Sequence, residues 1–272
     1  MSRCLLKMKE IMKLVNQRDK IFTTRLQKGG ALFEDMRQVV SLWSEELALD
    51  NPMAKIARSL PKSTMARVKD TYIRAFRPRF IEGSPPNAWR LAKILEERKA
   101  DIQILRPFYY WITARTEAPL YEFVSDLVFS RSRSIDRQIR IEETVAWLAQ
   151  RTRQQGIAWT PTVTRKVARG ILAALRDFGI LEGATHKRVS TSGLPPNVFA
   201  IIAFLLHEMG ASGRSLVYSP DWRLFLLGDI GVEHFFLECQ QYGWLKFDSA
   251  GDLRRIEFPE TTFLEYAHAV LS

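Results

Sequence analysis

The chain has 272 residues, 46% of them hydrophobic and 26% charged, with a formal net charge of +10. That size and balance suit a folded protein of one large or two small domains and argue against a disordered chain. The longest apolar run, VFAIIAFLL at 198–206, is too short for a membrane span, and two cysteines, Cys4 and Cys239, make no disulfide or metal framework.

The first residues, MSRCLLKMKEIMKLVNQRDK, carry lysines inside every apolar stretch, unlike a secretory leader. They read as a flexible N-terminal arm over 1–20, and the cytoplasm is the expected compartment. KIFTTRLQKGG at 20–30 reads as extended chain ending in a Gly-Gly turn. Leu32, Met36, Val39, Val40 and Trp43 recur at helical spacing and predict that residues 31–49 are helical, with these five on one face. Asn51 offers a cap and Pro52 a first-turn residue for the next helix, which Leu60-Pro61 breaks. Ser63 or Thr64 starts another, running to about Phe76 and closed by Pro78. Two short helices around a tight turn give a first helix-turn-helix module over 21–83.

GSPPN at 83–87 is a linker. A helical core unit over 84–134 follows, with two or three apolar helices that include PFYYW at 107–111. Ser-Arg alternation at 130–134 reads as a loop, and 135–154 as a helix. The segment WTPTVTRKVARGILAALRDFG predicts a further helix, and ILEGATHKRVS a small hairpin or wing. Together 135–194 form a winged-helix-like module. The C-terminal module, 195–272, has a helix at 197–209, helices in PDWRLFLLGD and VEHFFLECQQYG, a hairpin around DSAGD, and a last helix at 260–271. Helix followed by hairpin thus occurs twice, at 160–190 and 232–258. The expected fold class is mainly α: a helical protein with two helix-turn-helix or winged-helix-like modules and short β-hairpins.

The charge is uneven. Residues 51–80 hold eight Lys and Arg against Asp70 alone, and residues 131–188 hold twelve against five acids, so each segment is +7. Residues 228–272 hold three basic and eight acidic residues, or −5. At about 100° per residue, Val163, Val167, Ile171, Ala174 and Phe178 share one side of the 161–178 helix. Arg165, Arg169 and Arg176 form a narrow stripe opposite, with Lys166 beside it and Thr162 at its start. A major groove accepts a helix of this width, and outward arginines reach phosphates and guanine edges. Lys187 and Arg188 in the wing extend the same surface. In the first module, Met65, Val68, Tyr72, Ala75 and Phe76 make the buried side, whereas Ser63, Arg67 and Arg74 point away, with Lys62 and Thr64 at the turn. Hydroxyls and N–H groups at a helix start suit phosphates. The competing reading of both faces is plain: a solvated side opposite a core, with arginines that only confer solubility.

No motif of catalysis stands out. There is no P-loop, no H-E-x-x-H, no paired-cysteine spacing and no G-x-S-x-G elbow. His186, His207, His234 and His268 are isolated, and the acid pairs Glu45-Glu46 and Glu142-Glu143 sit in polar helix positions. A non-enzymatic protein without cofactor or metal is the expectation.

TTRLQKGGALFEDMRQVVSLW, KVARGILAALRDFGILEG, YSPDWRLFLL and GWLKFDSAGDLRRIEFPETTFLEYA together resemble the BrxA family, a component of bacteriophage exclusion (BREX) defence systems. The resemblance spans roughly 22–271 and implies a small, mostly helical, non-enzymatic, helix-turn-helix-like DNA binder, which with the helix geometry above gives double-stranded DNA as the expected ligand. It would be encoded beside a methyltransferase, an ATPase and a phosphatase-like factor. The family has also been compared with the antitermination factor NusB, which keeps RNA open as the ligand, with PFYYW as candidate stacking residues. A protein-interaction scaffold using the acidic C-terminal module is a third reading.

Overall fold

The computed structural model describes residues 21–49, 51–60 and 64–272. The arm over 1–20, and with it Lys62 and Ser63, lies outside the described residues. The fold is mainly α-helical with two small antiparallel sheets, as composition and periodicity lead one to expect.

The chain enters through a one-turn helix, α1 (Leu26–Gly29), in place of the expected extended piece. Leu26 is buried, and the turn lies flat against a later helix. Helix α2 (Phe33–Leu42) buries Phe33, Met36, Val39 and Val40 and ends at the extended Trp43, after which α3 (Glu45–Leu49) restarts. Pro52 opens α4 (Pro52–Ser59), but Asn51 takes a left-handed backbone and makes no side-chain cap. Thr64 does cap α5 (Met65–Asp70), its hydroxyl accepting from Arg67 N at 3.3 Å.

The expected stop at Pro78 does not occur. Helix α5 continues as a π-helix over Thr71–Ile81 with Pro78 inside it, and Glu82 N bonds Arg77 O at 2.9 Å. A proline ring clashes with the carbonyl four residues back in an α-helix, and the wider π turn relieves that clash. The extension carries Arg79 and Phe80 into the core, both fully buried.

Helices α6 (Ala88–Glu97), α7 (Ile102–Thr116) and α8 (Ala118–Phe123) form the centre. Helix α7 packs on α6, α8 and the π segment, and residues Phe108 to Ala114 are all buried along it. Helix α8 runs on through a π turn, Val124–Val128, into Phe129–Ser132. The Ser-Arg stretch at 130–134 therefore begins in a helical turn and is only partly a loop.

A compact β-α-α-β-β unit follows. Residues 135–139 are not helical: Gln138–Ile139 form strand β1, ahead of α9 (Ile141–Gln154). Helix α10 (Pro161–Asp177) and the hairpin β2 (Leu181–Glu182) and β3 (Lys187–Val189) complete it. The sheet order is β1-β3-β2, with Gln138 opposite Arg188 and Leu181 opposite Val189. Strand β1 exists because β3 offers it an edge, and Ile139 is buried there.

The C-terminal part centres on α11 (Pro196–Glu208), buried without interruption from Val198 to Leu206. Around it lie α12 (Arg214–Val217), a 3-10 turn (Pro220–Phe225), α13 (Asp229–Gln241), the hairpin β4 (Lys246–Ala250) and β5 (Leu253–Glu257), and α14 (Phe263–Leu271). Asp221 ties this part to the centre, accepting from Trp111 Nε1 at 2.7 Å, Tyr121 Oη at 2.9 Å and Arg115 Nη1 at 2.5 Å. No helix among the described residues is long and apolar enough to cross a membrane.

Gly170 fixes how the N-terminal turn seats on α10. A Cβ there would fall 2.1 Å from Leu26 O, against backbone that cannot swing aside. Gly170→Ala is expected to cost about 2–3 kcal/mol, the range of an overpacked site, read as a lower urea midpoint at unchanged slope.

Candidate nucleic-acid interface

Helix α10 begins with two sequence devices. Thr160 accepts from Val163 N at 3.3 Å, and Pro161 takes the first helical position, where its missing N–H costs nothing. From there the apolar period settles the orientation. Thr164, Val167, Ala168, Ile171, Leu172, Ala174 and Leu175 are buried against the core, with Phe178 at the helix end. Thr162, Arg165, Lys166, Arg169 and Arg176 are exposed. They occupy an arc of about 100° on the helix wheel.

The cations on this arc differ in their partners. Arg165 Nη2 sits 3.8 Å from Glu142 Oε1, with both groups largely exposed, and Arg176 pairs with its neighbour Asp177 at 2.8 Å. Exposed pairs of this kind are weak and yield readily to a competing anion. Lys166 and Arg169 form no ion pair with any described carboxylate.

The hairpin stands beside the helix. Gly183 makes its turn possible: its φ is +88°, and a Cβ there would fall 2.2 Å from His186 O. Lys187 Nζ donates to Ala184 O at 2.8 Å, folding onto the turn, while Arg188 is exposed and unpaired among the described residues. Strand β1, hidden within an expected helix, adds two polar groups to the same sheet. Gln138 lies opposite Arg188, and exposed Arg140 Nη2 donates to Gln138 Oε1 at 2.7 Å. The alternation of isoleucines at 135, 139 and 141 with polar residues was the available signal.

The first module is arranged differently. Arg67 pairs with Asp35 at 3.3 Å and Arg74 with Asp70 at 2.8 Å, and the Thr64 hydroxyl is engaged as a cap. Asp70 also accepts Lys28 at 3.4 Å. Lys28 lies on α1, whose Leu26 carbonyl faces Gly170 of α10. The two cationic segments are thus joined through α1, but Arg67 and Arg74 of the first carry internal counter-charges.

The aromatic residues Phe108, Tyr109, Tyr110 and Trp111 are at most 1% exposed, so they present no stacking platform. Tyr110 Oη donates to Leu224 O at 3.1 Å, and Tyr109 Oη donates to Glu96 Oε1 at 3.0 Å. Among the described residues no three His, Cys, Asp or Glu side chains gather as a metal site.

Fold and surface together define a mainly α-helical protein that displays one cationic helix-and-hairpin unit. The chain belongs to the BrxA family, whose model matches residues 20–205, from α1 into α11 and across both cationic segments. Membership places it among the components of BREX phage-defence systems. It is also similar in fold to a crystal structure of an uncharacterized protein from Magnetospirillum magneticum. The TM-score is 0.53 at 11% identity, over 76% of this chain and 99% of that one. No curated protein matches the sequence significantly.

Proposed function

We propose that this chain is a non-enzymatic, double-stranded DNA-binding component of a BREX system. In this reading 135–194 is a winged helix, with α9 and α10 as its helix pair, α10 lying in the major groove and the β2–β3 hairpin as the wing. The order of its elements, with β3 between β1 and β2, is the arrangement a winged helix requires. The observation that carries the reading is the arc of α10, where Lys166 and Arg169 stand exposed without counter-charges. Its protein partners would be the other BREX components: methyltransferase, ATPase and phosphatase-like factor.

Contacts of this kind are mainly to phosphates, which position a protein without specifying sequence. Arg165, Lys166, Arg169, Arg176, Lys187 and Arg188 supply about six of them. A plot of log affinity against log salt for a random-sequence duplex is then expected to have a slope of about −5. No Asn or Gln stands on the arc to read adenine, so sequence preference is expected to be weak. Fluorescence anisotropy across a salt series tests both. A slope near zero, or binding confined to one sequence, would remove the phosphate-led reading.

The first module contributes less in this account. Binding a phosphate at Arg67 or Arg74 requires displacing Asp35 or Asp70. Arg67→Ala is expected to weaken duplex binding by less than about threefold, under 1 kcal/mol, the scale of an exposed pair.

A further inference from the structure

Arg133, from the 130–134 stretch, and Arg223, from the 3-10 turn, meet at a groove that no α10 residue lines. A groove of about 570 Å3 lies between the end of the α8 helical run, α9 and the 3-10 turn. Its lining includes Ser125, Asp126, Phe129, Arg133, Arg151 and Arg223. Two guanidiniums share one ring here: Arg133 Cζ lies 4.1 Å and Arg223 Cζ 5.0 Å from the Phe129 centroid. Stacking on a ring uses the face of a guanidinium and leaves its N–H edge available.

The third arginine is already matched. Arg151 Nη2 bonds Asp126 Oδ2 at 2.7 Å, and Trp147 Nε1 donates to the same carboxylate at 3.0 Å. That Trp147 hydrogen bond is the main cause holding the Asp126 carboxyl below its usual range. Asp126 is thereby hydrogen-bonded to two donors and attracts Arg223 only from a distance, and neither Arg133 nor Arg223 forms a close ion pair with a described carboxylate. Glu122 also lines the groove, so among the described lining residues three arginines face two carboxylates. Two like charges within about 9 Å of each other repel, and a further anion held between them offsets that repulsion.

The backbone leaves room for this arrangement. A Cβ on Gly228 would fall 2.1 Å from Arg133 Nη2, so residue 228 must lack a side chain for the guanidinium to rest where it does. The φ of Gly228 is −98°, a conformation open to any residue, so backbone freedom does not explain the glycine.

We propose that this groove is a phosphate-binding site, in which the edges of Arg133 and Arg223 take the phosphate of a mononucleotide or of a nucleic-acid strand. Paired guanidinium forks match phosphate oxygens in number and geometry. The proposal does not depend on α10 binding DNA.

The test uses the full chain and two probes, ATP and a 20-base-pair duplex, with adenosine as a control. Arg133→Ala/Arg223→Ala removes two exposed side chains, and Gly228→Ala displaces the Arg133 tip while keeping every charge. If the source is a mononucleotide, wild type binds ATP but not adenosine, and the double variant binds ATP about tenfold more weakly, a loss of about 1.4 kcal/mol. If the source is a strand, ATP is ignored and duplex affinity falls by a similar factor. Gly228→Ala weakens the same probe in either case. Equal titrations of wild type and both variants, with ATP and with duplex, would overturn the site. Arg165→Glu/Arg169→Glu leaves the ATP titration unchanged if the source is a mononucleotide; if it is a strand, Arg133→Ala/Arg223→Ala still weakens duplex binding on the Arg165→Glu/Arg169→Glu background, and either result separates failure of this site from failure of the DNA reading.

Discussion

Reversing two charges on the exposed arc of α10 is expected to abolish most duplex binding without unfolding the protein. Arg165 and Arg169 lie one turn apart, on the side of the helix away from Val167 and Ile171. Arg165→Glu/Arg169→Glu removes two phosphate contacts and sets two carboxylates against the polyanion. A loss of about 100-fold in affinity at moderate salt, about 2.7 kcal/mol, is the expected scale. The salt slope should fall from about −5 toward −3 as two contacts disappear. Both side chains are solvent-facing, so the unfolding midpoint should move by less than about 0.5 kcal/mol. An anisotropy titration paired with urea unfolding reads both quantities on one preparation. Undiminished binding by this variant would take α10 out of the interface.

The largest effect on stability is expected at Glu117, which is fully buried. Arg79 and Glu117 are both fully buried, with Arg79 Nε 3.3 Å from Glu117 Oε1. The guanidinium also donates to Ala31 O at 3.1 Å and to Gly30 O at 3.0 Å. Burial pulls the Arg79 guanidinium below its ordinary range, and the nearby carboxylate opposes that shift. The other carboxylate oxygen of Glu117 accepts from Arg25 Nε at 3.3 Å and Thr23 Oγ1 at 3.4 Å. One acid therefore holds the π-helical extension of α5 and the entering chain together. Glu117→Ala removes the buried carboxylate that both Arg79 and Arg25 engage, and the expected cost is about 3–5 kcal/mol. Replacing both partners by apolar residues, Arg79→Met/Glu117→Leu, is expected to recover much of that loss. A double variant no more stable than Glu117→Ala in urea would argue that the hydrogen bonds to Gly30 and Ala31, and not the lost charge pairing, set the cost.

Much of α10 was legible before any coordinates. Thr160-Pro161 marks its start, the apolar period through Val167, Ile171 and Leu175 sets its buried side, and the arginines fall on what remains. These are local rules, and local rules act within one or two turns. What stayed hidden depends on partners distant in the chain. Strand β1 is two residues long and is defined by β3, about 50 positions later. The continuation of α5 past Pro78 needs a widened turn that ordinary helix rules forbid, with Arg79 held by Glu117 at the junction of α7 and α8. Counter-charges were the harder omission. Arg74 and Asp70 stand four residues apart on one helix, so their pairing could have been read. The pairing of Arg67 with Asp35 joins α5 to α2 and could not. The sharing of Phe129 by Arg133 and Arg223 links segments about 90 residues apart, and no spacing announces it. The expected charge clusters were present, but which of their members are unpaired emerged only from tertiary structure.

Lysine reactivity in the presence of DNA tests the central claim most directly. Lys166 on α10 and Lys187 on the hairpin lie on the proposed surface, whereas Lys246 is exposed on β4 in the acidic C-terminal part. Acylation of the full chain with and without a saturating random-sequence duplex, followed by peptide mass spectrometry, reports all three at once. The account predicts that Lys166 and Lys187 lose most of their reactivity on the duplex while Lys246 keeps its own. Reactivity of Lys166 unchanged by bound duplex would contradict it.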